Sequence, residues 1–310
     1  MISLHMMGGL GNQLFQIFTT LSLSIDNNIE FCFSDKEKLC SKRNTYWNSF
    51  LLPLMPYLRS DDFLNKEFIP KGITIRETQF NYKNYDEIIQ MILRTYSKNI
   101  YLFGYFQSYK YFEKNYQQIY NLLNIDQQKY NLLEKIFSVN VLKNQLNMQN
   151  DFIFENDLQL YNNVISIHFR LGDYKQLQNC HPLMPTIYYL NCLNYLSSQL
   201  TNINSYKFLY FCENNFDDVM IVSNIINNIQ KIYPNVEFIR QLGLKDYEEM
   251  LLMSLCKHNI IANSSFSWWG AYLNNNEDKI VMYPNVWFGK NLSRHDTSDL
   301  CPENWIRIDC

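Results

Sequence analysis

The chain has no run of the ~18 uninterrupted apolar residues that a membrane-spanning helix needs. Its opening residues, MISLHMMGGLGNQ, have no basic segment and break at glycine too early for a signal peptide. Both absences make the cytoplasm the expected compartment. Eight cysteines are present but no CxxC pair, so a structural zinc site is not expected. Cys32, Cys192, Cys212 and Cys256 stand in apolar runs and read as buried thiols, while Cys301 and Cys310 could pair, although nothing demands it. The five histidines show no HExxH spacing, and there is no DxD carboxylate pair to hold a divalent ion on a nucleotide-sugar. Positive charge is not in excess either. The net charge of −3 gives no reason to expect nucleic acid as a partner.

What the 310 residues do contain is enough apolar material for a real core: 47% are hydrophobic and 18% charged, the balance of a globular chain. Residues 2–7 read as a strand, Gly8 to Gln13 as a glycine turn, Leu14 to Ile25 as a helix and Ile29 to Phe33 as a second strand. Further strands are expected at Ile73–Arg76, Ile100–Phe103, Val164–His168, Lys207–Cys212, Val236–Ile239, Asn259–Ala262 and Lys279–Tyr283. Helical patterns lie between most of them, and the tail to Cys310 reads as irregular. Asp246 with Glu249 three residues on has the form of a capping box, and Lys175 to His181 reads as a mobile polar loop. This alternation predicts an α/β fold of two Rossmann-like domains facing across a cleft, residues 1–155 and 156–310, with a hinge within 147–156.

Three stretches end strands or begin helices, where an open α/β sheet binds its ligands. Gly8 to Gln13, with Gly9 and Gly11, lets backbone amides approach closely. His168 to Asp173, HFRLGD, places an imidazole and a guanidinium at a strand end, and Arg170 suits a phosphate. An Arg170–Asp173 salt bridge bracing the loop is the plain alternative. Asn263 to Ser267 offers hydroxyls and helix-start amides to a pyrophosphate, although Ser264 or Ser265 could serve only as a helix cap. Trp268 and Trp269 read as core. The Walker lysine is missing from the glycine turn, which excludes an NTPase loop. Gly9, Gly11 and Glu30 leave an NAD(P)-dependent oxidoreductase open. A non-catalytic protein binding a nucleotide-sugar or glycan is a third reading.

GGLGNQLFQ at 8–16, SIHFRLGDY at 166–174 and MSLCKHNIIANSSFSWWGAYL at 253–273 together resemble the bacterial-type α-1,2-fucosyltransferases. FLYFCEN at 208–214 and YPNVWF at 283–288 fall in the expected places, and the resemblance covers essentially the whole chain. It implies a GT-B-like fold with an acceptor-side N-terminal domain and a GDP-fucose-binding C-terminal domain. The implied reaction moves L-fucose from GDP-fucose to O2 of a terminal β-galactoside, with inversion and with neither cofactor nor metal.

By position, Arg170 would bind the β-phosphate as it leaves, with His168 beside it on the GDP and Asp173 orienting Arg170. Ser264 and Ser265, next to Asn263, would hold phosphate oxygens. Asn12 would face fucose and acceptor. Glu249 would read guanine, at a position where the family more often has Asp. For the base, His5, Glu77 and Asp173 stay open, as does a reaction without a strong base. Acceptor choice is expected near Tyr105 to Tyr109.

Overall fold

In a computed structural model of the protein, residues 1–39, 43–95, 99–139 and 161–310 are described. The chain divides into two compact units, Met1–Ile125 with His295–Glu303, and Asp126–Arg294 with Asn304–Cys310. The expected hinge within 147–156 and the expected boundary at 155 lie outside the described residues.

In the first unit, β1 (Ile2–Leu4), β4 (Ile73–Arg76) and β5 (Ile100–Phe103) form a parallel sheet in the order β1-β5-β4, with Ile2 opposite Ile100 and Ile73 opposite the same residue. Two short strands, β2 (Phe33–Ser34) and β3 (Leu58–Arg59), pair separately. The first strand stops at Leu4 instead of running to residue 7. The Gln16 side chain takes over the next backbone, accepting from Met7 N–H and donating to its carbonyl, both at 2.9 Å. Gln16 belongs to α1 (Leu10–Asn27), which buries Leu14, Phe15, Ile17, Phe18 and Leu21 and ends on Asn28 in the left-handed region, φ 48°. The returning segment 295–303 is bound here through Asp299. Its carbonyl accepts from Ser108 Oγ at 2.6 Å and its carboxylate from Lys110 Nζ at 2.5 Å.

The second unit is a six-stranded parallel sheet made of β6 (Tyr161–His168), β7 (Lys207–Phe211), β8 (Glu237–Arg240), β9 (Cys256–Ile260), β10 (Val281–Pro284) and β11 (Ile306–Ile308). Their order is β11-β10-β9-β6-β7-β8. From β6 the chain builds outward through β7 and β8, then returns to the other side of β6 with β9 and continues outward. The order therefore reverses between β6 and β9, which opens a crevice at the carboxyl ends of those strands. Parallel strands covered on both faces read as continuous apolar runs, and Ile165, Ile167, Phe208 and Leu209 are fully buried.

Two further expectations are corrected. The tail is not irregular, because Ile306–Ile308 adds a parallel strand to β10. The strand expected at 259–262 ends at Ile260, and buried Ile261 and Ala262 lead into the crevice. Trp268 and Trp269 are fully buried, packed edge to face at 5.1 Å between ring centres. Cys301 and Cys310 are reduced and not bonded to each other. Among the described residues, no helix is long and apolar enough to cross a membrane.

Candidate active site

β6 delivers His168 to the point of strand reversal. The residue is buried, its carbonyl accepts from Tyr189 Oη at 3.2 Å, and its Nδ1 is buried without a hydrogen-bond partner. Burial, and then the charge of Arg170, lower its pKa to about 3, so the imidazole is neutral. Its ring lies 5.5 Å from that of Phe266, which stands in the first turn of the helix Ser265–Tyr272. The strand end and the start of that helix therefore meet.

Arg170 follows two residues later. Its Nη1 donates to Glu213 Oε1 at 3.0 Å, its Nη2 donates to Asp173, and its guanidinium lies 4.6 Å from the centre of the Tyr174 ring. The side chain keeps 22% of its surface exposed, so it faces the crevice edge and not the interior. The plain salt bridge to Asp173 is thus present, joined by a second carboxylate from the end of β7. Gly172 has φ +45°, and its N–H donates to Asp218 at 2.9 Å. Asp218 is fully buried, which pushes its carboxyl up, but Lys175, the Gly172 N–H and Asn215 together hold it below the ordinary range.

The loop expected to be mobile is accordingly tied down. Lys175 pairs with Asp218 at 2.5 Å, Tyr174 stacks on His181 at 4.7 Å, and the carbonyls of Cys180 and Asn179 accept from the N–H groups of Gly289 and Asn291, each at 2.9 Å.

The helix Ser265–Tyr272 is capped by Ser264, whose Oγ accepts from the Phe266 N–H at 3.4 Å. Asn263 turns its Nδ2 to the carbonyls of Pro182 at 3.0 Å and Trp287 at 3.1 Å, so its amide braces neighbouring loops. Tyr174 Oη donates to the Asn263 carbonyl at 3.4 Å, joining the Arg170 loop to the helix start. A guanidinium and the positive end of a helix thus share one edge of the sheet, an arrangement suited to a diphosphate.

The helix Asp246–Met253 carries Glu249. Its cap is one residue earlier than expected: Glu248 accepts from the Lys245 N–H at 2.9 Å and pairs with Lys135 at 2.7 Å. The Glu249 carboxylate makes no hydrogen bond among the described residues, while its N–H donates to the Lys245 carbonyl at 2.9 Å. Burial and then Asp246, opposed by Arg240, push its pKa up to about 7.

In the first unit, Gly8 has φ +79°, and a Cβ there would stand 2.5 Å from Asn12 Nδ2, so the turn requires glycine. Gly9 precedes α1, Gly11 lies in its first turn, and Asn12 Oδ1 accepts from Gln107 Nε2 at 2.7 Å. Glu77 accepts from the N–H groups of Tyr105 at 2.7 Å and Phe106 at 2.9 Å, and burial raises its pKa. His5 stacks on Phe103 at 5.0 Å, and burial, then Lys36 and Arg76, lower its pKa. Of the three candidate bases, Glu77 is occupied by backbone and Asp173 by Arg170. His5, the third, is engaged through Nδ1, which lies 3.3 Å from Tyr101 Oη.

The family model described as glycosyl transferase family 11 matches residues 1–309. The chain belongs to this family. It is 27% identical over 318 residues to the alpha-1,2-colitosyltransferase of Escherichia coli, with 97% of each chain covered. It is 28% identical over 341 residues to the O-antigen biosynthesis glycosyltransferase WbnK of Escherichia coli, covering 97% of this chain and 98% of the other. Among solved structures, a mutant of Arabidopsis thaliana FUT1 in complex with GDP superposes with a TM-score of 0.51 at 11% identity, covering 91% of this chain and 70% of that one. The fold is GT-B-like, and the family sets aside the oxidoreductase reading.

Within the family 11 glycosyltransferase, His168, Arg170, Asp173, Asn263, Ser264 and Ser265 gather at the crevice between β6 and β9. Gly9, Gly11 and Asn12 gather at the start of α1 in the first unit. Sequence reasoning passed over Glu213, Tyr174 and Asp218. Glu213 stands two residues beyond β7, and its proximity to Arg170 depends on β6 and β7 being neighbours, which no local pattern states.

Proposed function

We propose that this family 11 glycosyltransferase moves L-fucose from GDP-fucose to O2 of a terminal β-galactoside, with inversion and without metal or cofactor. The observation that carries the reading is the meeting of Arg170 and the capped start of Ser265–Tyr272 at the point of strand reversal. As the acceptor oxygen forms its bond to the anomeric carbon, the bond to the β-phosphate breaks and negative charge collects on the phosphate. Arg170, Ser265 and the helix-start amides neutralise that charge. Neutral His168 lies beside Arg170 at the GDP without adding charge. Glu249, with both carboxylate oxygens unengaged, accepts from N1 and N2 of guanine. The acceptor binds to the first unit near Asn12, and His5 takes the hydroxyl proton.

The likeness to an alpha-1,2-colitosyltransferase favours a second donor, because colitose is fucose without its 3-hydroxyl. A screen of GDP-fucose and GDP-colitose against galactosides, scored by GDP release, tests both. GDP-fucose turns over in the presence of EDTA, and Arg170→Ala lowers kcat/KM by about 10²–10³. Turnover of GDP-colitose alone replaces the donor, and loss of activity on chelation overturns the metal-free reaction.

A further inference from the structure

Arg170 is held by more negative charge than it can offset. One guanidinium lies between Asp173 and Glu213, so the cluster is net negative where a diphosphate, itself negative, is to bind. Lys175, on the same loop, does not relieve this, because it is committed to Asp218 at 2.5 Å.

The two carboxylates are not equivalent. Asp173 sits three residues from Arg170 in the same turn, whereas Glu213 reaches in from the end of β7 on a longer side chain that is 50% exposed. Its seat exists only because residue 172 is glycine: a Cβ there would lie 2.2 Å from Glu213 Oε1. Releasing Glu213 returns a half-hydrated carboxylate to water, a small cost. Asp173 is 44% exposed, but it lies in the same turn as Arg170, closed by the Tyr174 N–H on the Leu171 carbonyl at 2.8 Å, so its carboxylate stays beside the guanidinium.

We propose that Glu213 is a positioning residue that holds Arg170 before the donor binds and is exchanged for a diphosphate oxygen when it does. Arg170 Nη1 then turns its N–H from Glu213 to the phosphate, while Asp173 keeps Nη2. The inference rests on the reading that Arg170 binds the diphosphate. Glu213 thereby sets donor affinity without touching the donor, and removing its charge tightens nucleotide binding. A carboxylate that stayed on Arg170 throughout would have the opposite signature, because its loss would misalign the guanidinium.

Calorimetric titration of GDP into the full chain separates these cases, using wild type, Glu213→Gln, Arg170→Ala and the double variant. Glu213→Gln is isosteric and exposed, so the fold is retained. We expect it to tighten GDP by about three- to tenfold. Arg170→Ala weakens GDP by about 100-fold, and Glu213→Gln adds nothing in that background. Unchanged or weaker GDP binding by Glu213→Gln, with Arg170→Ala still weak, overturns the exchange and leaves the role of Arg170 standing. GDP bound by Arg170→Ala as well as by wild type overturns that role and the exchange together.

Discussion

The N–H of Lys245 donates to Glu248 Oε2 at 2.9 Å, and this leaves the carboxylate of Glu249, one residue further on, out of the capping role. A carboxylate pushed up to about 7 by burial, with no side-chain hydrogen bond among the described residues, is poised for a ligand that brings donors.

The pH dependence of nucleotide binding follows. Protonated Glu249 cannot accept both N–H groups of guanine, so GDP affinity falls as pH drops below about 7. Fold stability runs the other way. The folded pKa lies above the ordinary 4.5, so the folded chain holds the proton more tightly and stability declines as pH rises from 4.5 to about 7. Glu249→Gln weakens GDP about tenfold at pH 8. Titrations of both proteins at pH 6 and 8 separate this residue from the nucleotide's own phosphate. Parallel profiles would remove Glu249 from base recognition.

Ser264 has two roles that one pair of variants divides. Ser264→Ala removes the cap on Phe266 N–H and costs about 1 kcal/mol in chemical denaturation. Ser264→Asp restores the cap and the stability but sets a negative charge at the helix start, so GDP binding is lost. Equal GDP affinity in the aspartate variant would place the phosphates elsewhere.

Glu77 is expected to behave as a structural residue. Its carboxylate satisfies the N–H groups of Tyr105 and Phe106 beside the left-handed Phe106, φ 52°. Glu77→Gln turns an amide donor toward one of those N–H groups and costs about 1–3 kcal/mol of stability. The pH profile of kcat/KM keeps its shape, and disappearance of its acidic limb would make Glu77 the base.

Lys129 is buried on the helix Ile125–Val139 and donates to the Leu273 carbonyl at 2.6 Å, just beyond the end of the site helix. Burial, opposed by Asp126 and aided by Lys279, lowers its pKa to about 7. From pH 7 upward to the ordinary lysine range the unfolded chain binds a proton that the folded chain lacks, so stability rises with pH. Lys279, lowered to about 8 by burial, adds to the same trend. Melting temperatures at pH 7 and 9 should show the rise, and Lys129→Met should flatten it.

The central strand and its polar exit were legible because β-branched residues at Val164, Ile165 and Ile167 give way to His168 and Arg170 within a few positions. Which strands lie beside it was not legible. Pairing is decided by long-range packing, and that is why Glu213 could not be placed against Arg170. The same limit explains the loop at 175–181: its residues are polar, but the groups that bind them, Asp218, Gly289 and Asn291, lie far along the chain. The cap slipped from Glu249 to Glu248 because two adjacent glutamates fit one pattern and only geometry separates them. β11 has just three residues, too few for periodicity to mark.

The return of residues 295–303 has a practical effect on how this protein can be dissected. Stopping translation ahead of His295 would deprive Ser108 and Lys110 of Asp299 and, in the same stroke, delete the outermost strand beside β10. Either half, prepared alone, must be assembled from two stretches of polypeptide joined by an artificial linker.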